Sequence, residues 1–215
     1  AGMYVRNADV SWLSTVNGMQ KLSATGKTDD GSEFNIDLDG SSPEGTRIKV
    51  ISSDAGFIAS AFLELDFLEG GRLDLDGLLA RDGQPSRFDI VITNGRLHNA
   101  PFLTQILSLA SLRGLADTLG GDGVLFSRID IPLTIAGDRY VVTGGKAQGP
   151  ALGLTVNGYL GADNDISVDG VLVPSFGMNS ALGGIPIIGD LVVGRDGEGV
   201  FSLTYSVRGS LEKAN

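Results

Sequence analysis

Polar and apolar residues alternate along most of this chain, and the period is two. In EFNIDLDG, Phe34, Ile36 and Leu38 fall on one side of an extended backbone, while Asn35, Asp37 and Asp39 fall on the other. GRLDLDG repeats the beat with Leu73 and Leu75 against Asp74 and Asp76, and RFDIVIT gives Phe88, Ile90 and Ile92. IPLTIAG contributes Leu133 and Ile135, and DRYVVTG turns back on it through Gly137 and Asp138. LGLTVNGYL gives Leu152, Leu154 and Val156; DISVDGVLV gives Ile166 and Val168; VFSLTYSVRG sets Phe201, Leu203, Tyr205 and Val207 against Ser202, Thr204, Ser206 and Arg208. Each run closes on Gly, Asp or Asn, the mark of short strands joined by tight turns. The pattern predicts a mainly β protein: a curved antiparallel sheet with one apolar face, in the form of a half-pipe, a groove or an open barrel.

Two segments break the alternation. DAGFIASAFLELDF carries Phe57, Ile58, Ala61, Phe62 and Leu65 at helical spacing, with Asp54 placed to cap the N-terminus. APFLTQILSLASLRGLADTLGG predicts one long helix, begun by Pro101 and stopped by Gly120-Gly121. It is apolar almost all round, through Phe102, Leu103, Ile106, Leu107, Leu109, Ala110, Leu112, Leu115 and Leu119. Such a helix is buried on several sides or set in oily surroundings. GGIPIIGDLVVG, from Gly183 to Gly194, fits neither period. Short turns at MNSAL and PIIGDLVV and a hairpin at GRDGEG are its simplest reading.

Composition narrows the function. The chain of 215 residues has room for a real core, and its 42% apolar and 20% charged residues are those of a folded protein. Its 32 glycines are about twice the usual share of ~7%, and they follow no triplet period, which fits many tight turns and excludes collagen. Sixteen Lys and Arg against 26 Asp and Glu leave a net charge of −10, which repels nucleic acid and anionic membrane surfaces. The absence of cysteine excludes disulfides and thiolate chemistry. The opening AGMYVRNADV, without an initiator Met or a signal pattern, reads as a piece cut from a longer protein. The longest run without an ionisable side chain, Gly170 to Gly189, has the length of a membrane span, but Pro174, Pro186, Asn179, two serines and five glycines argue against one.

The motifs that resemble catalytic sites have plainer readings. Gly26-Lys27-Thr28 imitates the end of a phosphate-binding loop, but Lys21 stands where the first glycine is required. A single GGDG at Gly120 to Gly123 lacks the stacked copies that a repeat-type calcium site needs, and suits a helix stop and turn. His98, the one histidine, has no nucleophile or metal motif beside it. The carboxylate pairs Asp37/Asp39 and Asp74/Asp76 could in principle serve glycoside chemistry, but lie on the polar side of strands, where they supply solubility. A non-enzymatic protein is expected, without cofactor or metal. The residues alone leave two forms open: a sheet closed and filled by its own side chains, or a trough that admits acyl chains.

A resemblance favours the second form. NAPFLTQILSLASLRGLADTLGGDGVLFSRIDIP, TGGKAQGPALGLTVNGYL and VLVPSFGMNSALGGIPIIGDLVVGRDGEGVFSLTYSVRGSL resemble the C-terminal region of AsmA-like proteins, most of all the YhdP-type branch with its AsmA-2 type domain. The likeness covers Phe88 to Leu211, and its most specific part is N-S-x-L-G-x-I-P-x-x-G followed by G-E-G-x-F-x-x-x-Y-x-V-x-G. Ala1 to Ala80 match only in style, so residues 1–215 are taken as a single C-terminal groove domain. The resemblance implies a periplasmic protein of Gram-negative bacteria, its parent anchored in the inner membrane. It implies a hydrophobic half-pipe that binds phospholipid and passes it between the inner and outer membranes, with apolar helices near a membrane. The partners expected are phospholipid or another acyl-chain lipid, a membrane touched by those helices, and the rest of the parent protein or an end-to-end partner.

Carried onto this chain, the resemblance makes Phe102, Leu103, Ile106, Leu107 and Leu109 part of an apolar helical element. Asn179, Leu182, Ile185, Pro186 and Ile188 would form the signature turn, and Tyr205 and Gly209 would close the last strand. With the strand pattern, the expected lipid-lining set is Ile36, Leu38, Phe88, Ile90, Ile92, Phe102, Leu103, Ile106, Leu107, Leu133, Ile135, Leu154, Val156, Ile185, Ile187 and Ile188. The family has no agreed catalytic residues, and none are assigned. The competing expectation is a dry structural module whose sheet edges pair with a partner.

Overall fold

The computed structural model describes residues 5–16, 18–109, 113–161, 165–174 and 202–210. They form one open antiparallel sheet of twelve strands that does not close into a barrel. The strands are β1 (Val5–Thr15), β2 (Gly18–Thr28), β3 (Glu33–Ser42), β4 (Gly45–Ser52), β5 (Leu68–Glu69), β6 (Arg72–Ala80), β7 (Ser86–Leu97), β8 (Val124–Ala136), β9 (Arg139–Gln148), β10 (Leu152–Gly161), β11 (Asp165–Pro174) and β12 (Leu203–Ser210). The order across the sheet is β1-β2-β3-β4-β6-β7-β8-β9-β10-β11-β12, with the two-residue β5 pairing beside β7. Short antiparallel connections of this kind follow from the turn residues. Gly137, at φ +62°, and Asp138 join β8 to β9, as the sequence predicts.

Three short helices interrupt the sheet: α1 (Ala55–Leu63), α2 (Pro101–Leu109) and α3 (Arg113–Gly120). The first is the predicted one. The Asp54 carboxylate accepts from the Phe57 amide at 3.0 Å, filling a donor that the first turn leaves unsatisfied, and Glu64 ends the helix in the left-handed conformation. Asp54→Ala is expected to cost about 1 kcal/mol, read as a lower urea midpoint at unchanged slope.

The single long helix expected over Pro101 to Leu119 is not present among the described residues; α2 and α3 stand in its place and pack against each other. Two features of the sequence favour short pieces. Thr104 and Ser108 donate their hydroxyls back to the Ala100 and Thr104 carbonyls, at 3.0 and 2.8 Å, a bond that bends helices. Gly114, in the first turn of α3, lowers helix propensity by about 1 kcal/mol relative to Ala. The expected all-round apolar character also fails for α2. Leu103, Ile106 and Leu107 are buried, whereas Pro101, Thr104, Gln105 and Ser108 face solvent. At the end of α3, Gly121 and Gly123 donate to the Thr118 carbonyl at 3.2 and 2.8 Å, so GGDG is a helix stop and turn.

The core lies between the helices and one end of the sheet. Phe57 and Ile58 of α1 join Leu103, Ile106 and Leu107 of α2 over Leu73, Ile92, Val124, Phe126, Ile129, Leu152 and Leu172. Asn94, at φ +56°, bends β7, and on β8 the buried positions step by three from Phe126 to Ile129. The alternation slips by one there, so Val124 and Phe126 also turn inward. Farther along the sheet, the buried Tyr205 hydroxyl on β12 donates to the Thr155 carbonyl on β10 at 2.6 Å, passing over Gly170 of β11. A side chain at Gly170 would occupy the space of that phenol. Burial, and to a lesser degree the Asp169 carboxylate, pushes the phenol's pKa far above its ordinary value, so it stays protonated and keeps its donor.

Candidate functional site

The strand registers arrange the apolar positions in rows that cross the sheet from edge to edge. One row reads Trp12, Leu22, Leu38, Ile48, Gly77, Phe88, Leu133, Val142, Gly158, Val168 and Val207, each directly opposite the next. No polar side chain interrupts it. Gly77 leaves room for the Phe88 ring, which a Cβ at that position would strike. A second row, two same-face steps toward the helices and beyond the intervening Ile36, Val50, Leu75 and Ile90, reads Phe34, Ser52, Leu73, Ile92, Ile129, Ala147, Leu154, Leu172 and Leu203.

Burial separates the rows. In the second row Ser52, Leu73, Ile92, Ile129, Ala147, Leu154 and Leu172 are buried, because α1 and α2 cover that end. In the first row Leu22, Leu38, Ile48, Phe88, Leu133 and Val142 are only half-buried, while its last two members, Val168 and Val207, are buried. Beyond it, Ile135, Tyr140, Leu160 and Ile166 lie opposite one another, with Tyr140 exposed and the other three half-buried. One face of the sheet is therefore a band of aliphatic side chains, plugged at the helix end and, among the described residues, uncovered at the other.

The opposite face carries charge. Asp37 lies opposite Lys49, Lys49 opposite Asp76, and Asp76 opposite Asp89. Lys21 reaches Asp39 at 3.0 Å. The Ser41 hydroxyl and amide, then Lys21, hold the Asp39 carboxyl well below its ordinary pKa. Arg208 grips Asp169 with its Nη2 at 3.0 and 2.7 Å, lowering that carboxyl's pKa as well. The carboxylate pairs Asp37/Asp39 and Asp74/Asp76 stand on this solvated face, away from the aliphatic band.

The expected lining residues divide into three groups. Ile36, Leu38, Phe88, Ile90, Leu133, Ile135 and Val156 are half-buried on the aliphatic face. Ile92, Leu154, Leu103, Ile106 and Leu107 are buried in the protein's own core, and Phe102 packs edge-on against Tyr205 with ring centroids 6.2 Å apart. Ile185, Ile187 and Ile188, with the signature turn around them, lie outside the described residues. The sequence pattern does not single out Trp12, Leu22, Ile48 and Val142, and it places Val168 and Val207 on the apolar face without counting them as lining; together these complete the first row. The signal was present in KLSATGK and RIKVIS, whose Leu22/Ala24 and Ile48/Val50 keep the two-residue period.

His98 follows β7 and contacts Glu69 of β5, Nε2 to Oε2 at 2.5 Å, while its amide donates to the Phe67 carbonyl at 2.9 Å. The ring stacks over Gly123, where a Cβ would lie 2.7 Å from it. These contacts tie β5 and the turn after α3 to β7, a structural role. Among the described residues no group of three or more His, Asp or Glu is placed to hold a metal, and no helix is long and apolar enough to cross a membrane. Two shallow open clefts lie over β1 to β4. One, of about 390 Å³, is lined by Asn7, Lys27, Asn35 and Arg72 among others, and the second, of about 480 Å³, by Trp12, Leu22 and Leu38. Only the second touches the aliphatic row. No protein-family model, curated protein or solved structure matches the chain.

Proposed function

We propose that the uncovered aliphatic band is a binding surface for acyl chains, and that the protein is a non-enzymatic lipid-handling domain. The observation that carries this reading is the row of half-buried residues from Leu22 to Val142, which none of the described helices covers. A soluble domain rarely leaves so long a contiguous apolar strip open to water. On this reading the sheet curls around the strip, and its lining is Leu38, Ile48, Phe88, Leu133, Ile135 and Val142. An acyl chain laid along the strip leaves water at ~25 cal/mol per Å² of apolar surface buried, with its head group at the open side. The buried Leu103, Ile106 and Leu107 shape the plug at one end and do not touch the lipid.

The motifs between Phe88 and Leu211 extend the proposal to a C-terminal domain of an AsmA-like, YhdP-type protein that moves phospholipid between membranes from the periplasm. The test is direct. Gently purified protein is extracted with organic solvent and the extract examined by mass spectrometry, alongside uptake of a fluorescent phospholipid. Stoichiometric phospholipid and saturable uptake are expected. Clean extracts together with no uptake would leave the sheet as a dry module.

A further inference from the structure

Past the uncovered strip, at the end of the sheet away from the helices, the aliphatic face becomes polar over β3 and β4. The position after Leu38 on that face is Gly40, and the position before Ile48 is Thr46. A Cβ placed on Gly40 would meet the Thr46 hydroxyl oxygen at 3.3 Å and Nη2 of Arg81 at 3.6 Å. Thr46 is half-buried opposite Leu79, about 7 Å short of Ile48 along β4. The Arg81 guanidinium therefore stands on the aliphatic side, one step beyond the strip. The other cations of β2 to β4, which are Lys21, Lys27, Arg47 and Lys49, alternate onto the charged face.

The turn from β6 to β7 fixes this side chain. Asp82 and Gly83 have φ +56° and +72°, and the Gln84 amide donates to the Arg81 carbonyl at 3.1 Å, as in a tight hairpin turn. The Arg81 amide donates to the Glu44 carbonyl at 3.2 Å, tying that turn to the one between β3 and β4. At the far end of the side chain, Nη2 donates to the Gly40 carbonyl at 2.9 Å. Most of the guanidinium's donors are left over. Among the described residues no carboxylate pairs with Arg81, although Glu44 and Asp82 stand in the adjoining turns. A held, uncompensated guanidinium beside an apolar strip has the chemistry of an anion site.

We propose that Arg81, with the Thr46 hydroxyl, receives the phosphodiester of a lipid whose acyl chains lie on the strip. This rests on the reading of the strip as an acyl-chain surface, and adds the head group that it selects. The guanidinium fork matches phosphate oxygens, and Thr46 supplies a further donor. The chain's net charge of −10 repels a head group that is anionic overall. A phosphodiester balanced by its own ammonium avoids that repulsion, whereas a fatty-acid carboxylate does not.

The test titrates the 215-residue protein with two lipids that share one fluorescent acyl chain, a phosphatidylcholine and a diacylglycerol. The parent is expected to bind the phosphatidylcholine about tenfold to a hundredfold more tightly. Arg81→Gln should lower phosphatidylcholine affinity by that factor and erase the preference, with an unchanged melting temperature because the side chain is exposed. Arg81→Lys should recover part of it, since a point charge keeps the attraction and loses the fork. Arg87→Gln, the same change of charge on the opposite face, should behave as the parent. An unchanged preference in Arg81→Gln would overturn the proposal and leave the strip standing. Failure of both lipids to bind the parent would remove the strip and the head-group site together. Tighter binding of the labelled fatty acid than of the phosphatidylcholine, or displacement of the phosphatidylcholine by inorganic phosphate alone, would assign the guanidinium to another anion and overturn it as well.

Discussion

Phe126→Ala is expected to destabilise the protein by about 3–5 kcal/mol. Phe126 is fully buried on β8, beneath the layer that Leu103, Ile106 and Leu107 form on α2. Two terms add: the lost transfer of the ring from water and the void it leaves. Little can collapse into that void. The ring sits opposite Gly95 of β7, which has no side chain to move, and Gly149 already packs its backbone against the Phe126 Cα. Typical domains have only about 5–15 kcal/mol of stability, so a marginal one would be partly unfolded at 37 °C. Urea unfolding followed by circular dichroism measures the effect; a loss under about 1 kcal/mol would mean that α2 does not seal this end of the sheet.

Leu133→Glu should do the reverse, sparing the fold and abolishing lipid uptake. Leu133 stands in the half-buried row between Phe88 and Val142. A glutamate there can reach water in the empty protein, so the stability change should be modest. An acyl chain laid across it would have to strip water from a carboxylate. That costs well over the ~1.4 kcal/mol that makes a tenfold change in affinity. Uptake of fluorescent phospholipid is expected to fall at least about tenfold, with the melting temperature within a few degrees of the parent. The same glutamate on the charged face, as Val91→Glu, should leave uptake unchanged, because Val91 lies beside Asp74 and Asp130 on the side away from the strip. Equal uptake in parent and Leu133→Glu would remove the strip as the site.

The two-residue period and its turn residues reveal β3, β6, β7, the end of β8 with the turn into β9, β10, β11 and β12, because most of these strands place Leu, Ile, Val or Phe on one face with little interruption. β1 and β2 were obscured for physical reasons. In β1 the irregularity between Arg6 and Asp9 displaces the pattern, and in β2 the inward positions include Ala24 and Gly26, which barely register as apolar. Gly26 is nonetheless an inward position: a Cβ there would lie 2.6 Å from the Phe34 ring. The start of β8 was hidden by the slip between Phe126 and Ile129. Over 101–119 hydropathy points to one helix where α2 and α3 stand, because it does not record the hydroxyl back-bonds of Thr104 and Ser108. As for the site, the alternation named half of the uncovered strip. It could not separate core from lining, since Ile92 and Ile90 are alike in sequence and differ only in which of them the helices cover.

Along the sheet each strand pairs with its predecessor in the chain, except that β6 skips the two-residue β5 to reach β4 and β5 itself pairs with β7. Hydrogen-bonded neighbours thus follow one another in the chain, although the inserted segments set partners 21 to 49 positions apart in β4–β6, β7–β8 and β11–β12. A growing chain meets the same circumstance on the ribosome. Each strand emerges to find its partner already laid down, so the sheet can lengthen one rung at a time behind synthesis, without waiting for a distant segment to complete it.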